Sequence, residues 1–80
     1  MMAVYVAIRR DRETESGFLY RYVANDGSVD VLEIGKLDGS SRPVEFAPGD
    51  GDGRTYMLAA RKLLKHFQAG EFPEETCWAS

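Results

Sequence analysis

Hydrophobic positions recur with a period of two through the first half of the chain and shift to a helical period near residue 53. Residues 3–9 set Val4, Val6 and Ile8 on one side and Ala3, Tyr5 and Ala7 on the other. Such alternation marks a strand, and apolar residues on both sides mark one that is central or covered twice. Residues 18–24 repeat the pattern, with Phe18, Tyr20 and Tyr22 opposite Leu19, Arg21 and Val23. In residues 29–36, Leu32, Ile34 and Lys36 share a face opposite Val29, Val31 and Glu33. The polar run from Arg10 to Gly17 reads as an exposed hairpin loop. In Asn25-Asp26-Gly27-Ser28, the Asp-Gly pair tolerates the positive φ of a tight turn. Asp38-Gly39-Ser40-Ser41 makes a further turn, and Val44-Glu45-Phe46 a short fourth strand. Pro43 has no N–H to offer a ladder and places that strand at an edge. Strands joined by short turns pair with their neighbours, so the expected sheet is an antiparallel meander.

The run from Ala47 to Gly53 is a loop by composition, and a helix is predicted from about residue 53 to residue 69. Asp52 suits the N-cap and Gly70 the C′ position. At about 100° per residue, Tyr56, Met57, Ala60, Leu63, Leu64 and Phe67 fall within roughly 120°, wide enough to pack on a sheet, with Leu58 outside. The tail from Glu71 to Ser80 holds Phe72 and Trp78, and two large aromatics predict packing against the sheet or the helix end. The fold class expected is therefore α+β: one domain over residues 1–80, a three- or four-stranded antiparallel meander followed by an amphipathic C-terminal helix on one face.

Composition narrows the setting. Eighty residues make one domain, and a chain this short buries only about 60% of its unfolded surface. A hydrophobic share of 44% is too high for a disordered segment. Cys77 is the single cysteine, so no internal disulfide is possible and a reducing compartment fits. The first residues lack the basic region of a secretory leader, and no apolar run nears the length of about 20 residues needed to span a bilayer. The expected localisation is cytoplasmic.

Net charge is −3, which disfavours nonspecific binding to phosphates. The predicted helix nevertheless carries Arg54, Arg61, Lys62 and Lys65 and no acid. These cations suit a phosphate or an acidic protein. They better suit a solvated outer face near a helix C-terminus, balanced by Glu71, Glu74 and Glu75, since charged outer faces are the rule on surface helices.

Other candidate chemistry is thinner. Pro48 to Thr55 has the glycines of a phosphate loop without its spacing or its lysine, and Asp50 and Asp52 would repel phosphate. Those two aspartates do not make a calcium loop, because the twelfth residue from Asp50 is Arg61. His66 and Cys77 could be a base and a nucleophile, but Cys77 lacks the nearby cation that would favour a thiolate, and a small buried hydrophobe is the plainer role. Asp11, Glu13 and Glu15 sit on a predicted hairpin tip, where no carboxylate is desolvated for acid–base work. Phe18, Tyr20 and Tyr22 form an aromatic row of the kind that stacks bases, among acids that favour core packing instead.

Ala60-Arg-Lys-Leu-Leu-Lys-His-Phe67, followed by Gly70-Glu-Phe-Pro-Glu-Glu-Thr-Cys-Trp-Ala-Ser80, resembles the C-terminal end of a group of short bacterial proteins of unknown function. The resemblance covers the last quarter of the chain. It implies a bacterial, cytoplasmic protein and carries over no activity, ligand or site. With no convergent polar cluster, the residues favour a non-enzymatic interaction or regulatory module without cofactor or metal. Its partner is a second copy or another protein, and its candidate surface is Arg54, Arg61, Lys62, Lys65, Tyr5, Tyr20 and Tyr22. The alternative is nucleic-acid binding through the basic helix face.

Overall fold

The structure, a computed structural model, describes residues 5–23, 27, 29–45 and 54–79. Along the chain run β1 (Tyr5–Glu13), β2 (Gly17–Val23), β3 (Val29–Gly35), β4 (Ser41–Glu45), α1 (Arg54–Gln68) and β5 (Glu75–Ala79). The strands form one sheet in the order β4-β3-β2-β1-β5, and every neighbouring pair is antiparallel. The α+β class is as expected, but the strands number five rather than three or four. The fifth comes from the tail, which returns after α1 and pairs with the free side of β1 from Tyr5↔Ala79 to Arg9↔Glu75.

Alternation selects the buried face. Val6, Ile8, Tyr20, Tyr22, Leu32 and Ile34 form one buried cluster, joined by Ala59 and Leu63 of α1. Phe18, Tyr56, Leu58, Phe67, Phe72 and Trp78 are partly buried against it, so both tail aromatics pack as expected. Phe72 lies 4.7 Å from Phe18 and 6.0 Å from Phe67, ring centre to ring centre. The apolar arc of α1 is rotated from the expected one. Ala59 is fully buried and Leu58 half-buried, while Met57 and Leu64 are 57% and 39% exposed. α1 contacts β5 as well as β1 and β3, and His66 reaches Thr76 of the added strand at 2.9 Å.

β1 runs four residues past its expected end, through Glu13. The loop that remains closes tightly: Thr14 N–H donates to the Gly17 carbonyl at 2.8 Å, and Gly17 N–H donates to Thr14 Oγ1 at 2.9 Å. The register of β1 on β2 steps between Arg10↔Tyr20 and Arg12↔Leu19, which makes Asp11 the extra residue of a β-bulge. β4 forms at the sheet edge with Pro43 inside it, as the missing N–H requires. α1 ends in a Schellman motif. Glu71 N–H donates to the His66 carbonyl at 2.8 Å and Gly70 N–H to the Phe67 carbonyl at 2.9 Å, with Gly70 at φ +79°. The expected Asp52 cap, most of the Asn25–Ser28 turn, Phe46 and the loop of residues 47–53 lie outside the described residues.

Candidate functional site

Residues that alternate with the buried cluster point to the second face of the sheet. Because side chains opposite each other in register share a face, three cross-strand rows can be traced there. The first is Cys77, Ala7, Val23 and Val29; the second is Glu75, Arg9, Arg21 and Val31; the third is Arg12, Leu19, Glu33 and Arg42. Tyr5 stands beside the first row and is half-exposed, as is Val29. Small Ala7 sits low between larger neighbours. A shallow depression of about 450 Å³ opens there, its lining including Tyr5, Ala7, Val23, Val29, Arg9 and Arg21.

The bulge at Asp11 decides the charge of this face. In uninterrupted register Asp11 would oppose Leu19 and Arg12 would join the buried side; the extra residue turns Arg12 to the outer face instead. Arg9, Arg12 and Arg21 are therefore neighbours on β1 and β2, all exposed. Arg9 pairs loosely with Glu75 at 3.6 Å. Arg12 and Arg21 have no ion-pair partner among the described residues. In the third row Glu33 accepts from Arg42 Nε at 2.8 Å and from the Thr14 hydroxyl at 2.8 Å. Those two bonds, Arg42 first, hold the Glu33 carboxyl below the ordinary glutamate value. A side-chain hydrogen bond with Cys77 favours the neutral phenol of Tyr5 and raises its pKa.

The sequence-predicted surface residues divide. Tyr5 lies on the outer face. Tyr20 and Tyr22 do not reach a surface: both are 0% exposed, since their side of β2 faces the cluster shared with α1. Tyr20 donates its hydroxyl to the Pro73 carbonyl at 2.7 Å, and burial pushes its pKa up to about 12. Arg54, Arg61 and Lys65 are exposed on α1, and Lys62 is half-buried. Lys65 Nζ sits 5.8 Å from the centre of the Trp78 ring, so part of the basic helix face is engaged by the fold itself. Arg12 was missed because the run after Arg9 read as loop, and Arg9 and Arg21 because each strand was read by itself. The signal available was the register of Arg9 against Arg21 across two alternating strands.

His66 and Cys77 are not brought together. His66 Nε2 lies 2.9 Å from Thr76 Oγ1 and Nδ1 lies 3.1 Å from Glu71 Oε1. Thr76 shares the face of Ile8, whereas Cys77 shares that of Ala7, so the sheet separates histidine from thiol. The Glu71–His66–Thr76 chain has the spacings of a carboxylate–base–hydroxyl relay, but it joins the end of α1 to β5 and acts as a clamp between them. A second cleft, about 560 Å³, lies at the β3–β4 turn beside the β1–β2 loop. Its cations are already paired, Lys36 with Glu13 and Arg42 with Glu33.

No protein-family model, curated protein or solved structure matches the chain. Among the described residues no helix is long and apolar enough to cross a membrane.

Proposed function

We propose that this chain is a non-enzymatic protein-interaction or regulatory module, with α1 layered on one face of the sheet and the other face as its working surface. One observation carries the reading. The outer face exposes Tyr5 and Val29 near Arg12 and Arg21, which have no ion-pair partner among the described residues. Apolar groups exposed beside uncommitted cations are the composition of a contact surface. The single free Cys77 and the ordinary charge balance suit a bacterial cytoplasm, in keeping with the resemblance at the C-terminal end.

The partner is another protein or a second copy. Sedimentation velocity at rising concentration, together with peptide-display selection on the immobilised chain, tests this. The reading expects self-association or selected binders. A strict monomer that selects nothing would overturn it. A second reading, nucleic-acid binding through α1, draws on the absence of acid from the helix and the exposure of Arg54, Arg61 and Lys65. It expects mixed oligonucleotides to bind at low salt, to weaken as salt is added, and to be lost on Arg61→Glu/Lys65→Glu.

A further inference from the structure

Arg9 and Arg21 occupy directly opposed positions on β1 and β2, where side chains start about 4.5–5.5 Å apart and like charges destabilise the pairing. Arg12 adds a third cation on the same face, delivered by the bulge. A fold that places three arginines together in this way, two of them without an ion pair among the described residues, favours negative charge beside them. The next row along the strands is apolar. It lies two residues away, roughly 6.6–6.8 Å at the rise of a strand, and holds the depression over Ala7.

We infer that this constellation is a docking site for an acidic segment of a partner protein. The segment lies extended on the outer face, a carboxylate side chain between Arg9, Arg12 and Arg21 and an apolar side chain two positions away over Ala7. The match is one of period: in an extended peptide, residues i and i+2 point the same way at the spacing of the two rows. Arginine's planar fork suits bidentate capture of a carboxylate.

The charges around the patch separate this occupant from others. Glu75 closes the patch on the β5 side, Glu33 stands on the β3 side, and Asp11 sits at the bulge. The positive area is thus one or two carboxylates wide and not the continuous track that a phosphate backbone needs. Stacking a second copy face to face about an axis through the patch would set arginine against arginine. The inference rests on the reading of the outer face as the working surface.

The test is selection of a random-peptide display library on the immobilised full chain, followed by binding of the enriched peptide, fluorescently labelled, to wild type, to Arg12→Glu/Arg21→Glu and to Arg61→Glu/Lys65→Glu. Expected is enrichment of a carboxylate with an apolar residue two positions away, and affinity lowered about tenfold for each sheet arginine reversed. The helix double variant should bind as wild type. Because Arg12 and Arg21 are exposed, the sheet variant is expected to fold, which far-ultraviolet circular dichroism checks. Enriched peptides without carboxylates overturn the inference. So does binding that survives the sheet reversal and is lost with the helix reversal, an outcome that leaves the interaction reading standing. Steeply salt-dependent binding of mixed oligonucleotides, lost on reversing Arg12 and Arg21, overturns both in favour of a nucleic acid. A library that enriches nothing, with a chain that stays monomeric, also overturns both.

Discussion

Arg21 stands against Arg9 across an antiparallel pair, and repulsion between them is a cost carried by the folded state alone. Arg21→Glu should therefore raise stability, by about 0.2–1 kcal/mol, read as a higher urea midpoint at unchanged slope. A variant less stable than wild type would show that the pair is not in conflict. Glu33 gives a second prediction at this scale. Arg42 and Thr14 hold its folded-state pKa below the ordinary glutamate value of 4.5, so the unfolded chain binds the proton more readily. The contribution of Glu33 is thus whole above that value and fades as pH falls through the depressed one. Urea unfolding across mildly acidic pH should show stability declining as the solution is acidified, and Glu33→Gln should flatten part of that decline. An equal slope in both proteins would contradict the assignment. Residue by residue, the sequence showed the alternation that buries Leu32 and Ile34. It could not show which face of β2 is buried, so Tyr20 and Tyr22 went to a surface they do not occupy.

At the scale of elements, the three central strands and the helix limits follow from local rules. β2, β3 and α1 begin and end within one residue or so of where alternation, turns and Gly70 place them. Two features escaped. The Asp11 bulge depends on pairing between strands, and no periodicity within β1 encodes it. β5 is five residues long and stable only because β1 offers it a free edge, a tertiary circumstance invisible to a reading by segments. The tight β1–β2 connection yields a sharp test. Gly17 faces Gly35, and a Cβ there would overlap the Ile34 carbonyl oxygen on β3. Backbone cannot retreat as a flexible side chain would. Gly17→Ala should cost about 1–3 kcal/mol by the usual toll of overpacking, measured by thermal or urea unfolding. A neutral result would mean that β2 and β3 are not paired in this register.

Across the whole molecule, an acidic chain with net charge −3 gathers cations in two places, the outer arc of α1 and the outer face of the sheet. The helix group is partly engaged at home, through Lys65 on Trp78. The sheet group is hemmed by acids and borders an apolar depression. These differences, more than the count of charges, set the proposed order of partners: acidic protein segment first, nucleic acid second. The most direct measurement is an amide chemical-shift map of the labelled chain titrated with a synthetic extended peptide carrying glutamate two positions before phenylalanine. The account predicts shifts concentrated at residues 7–12 of β1 and 19–23 of β2, with the segment from Arg61 to Lys65 unmoved. Shifts confined to α1, or a spectrum unchanged at saturating peptide, would contradict it.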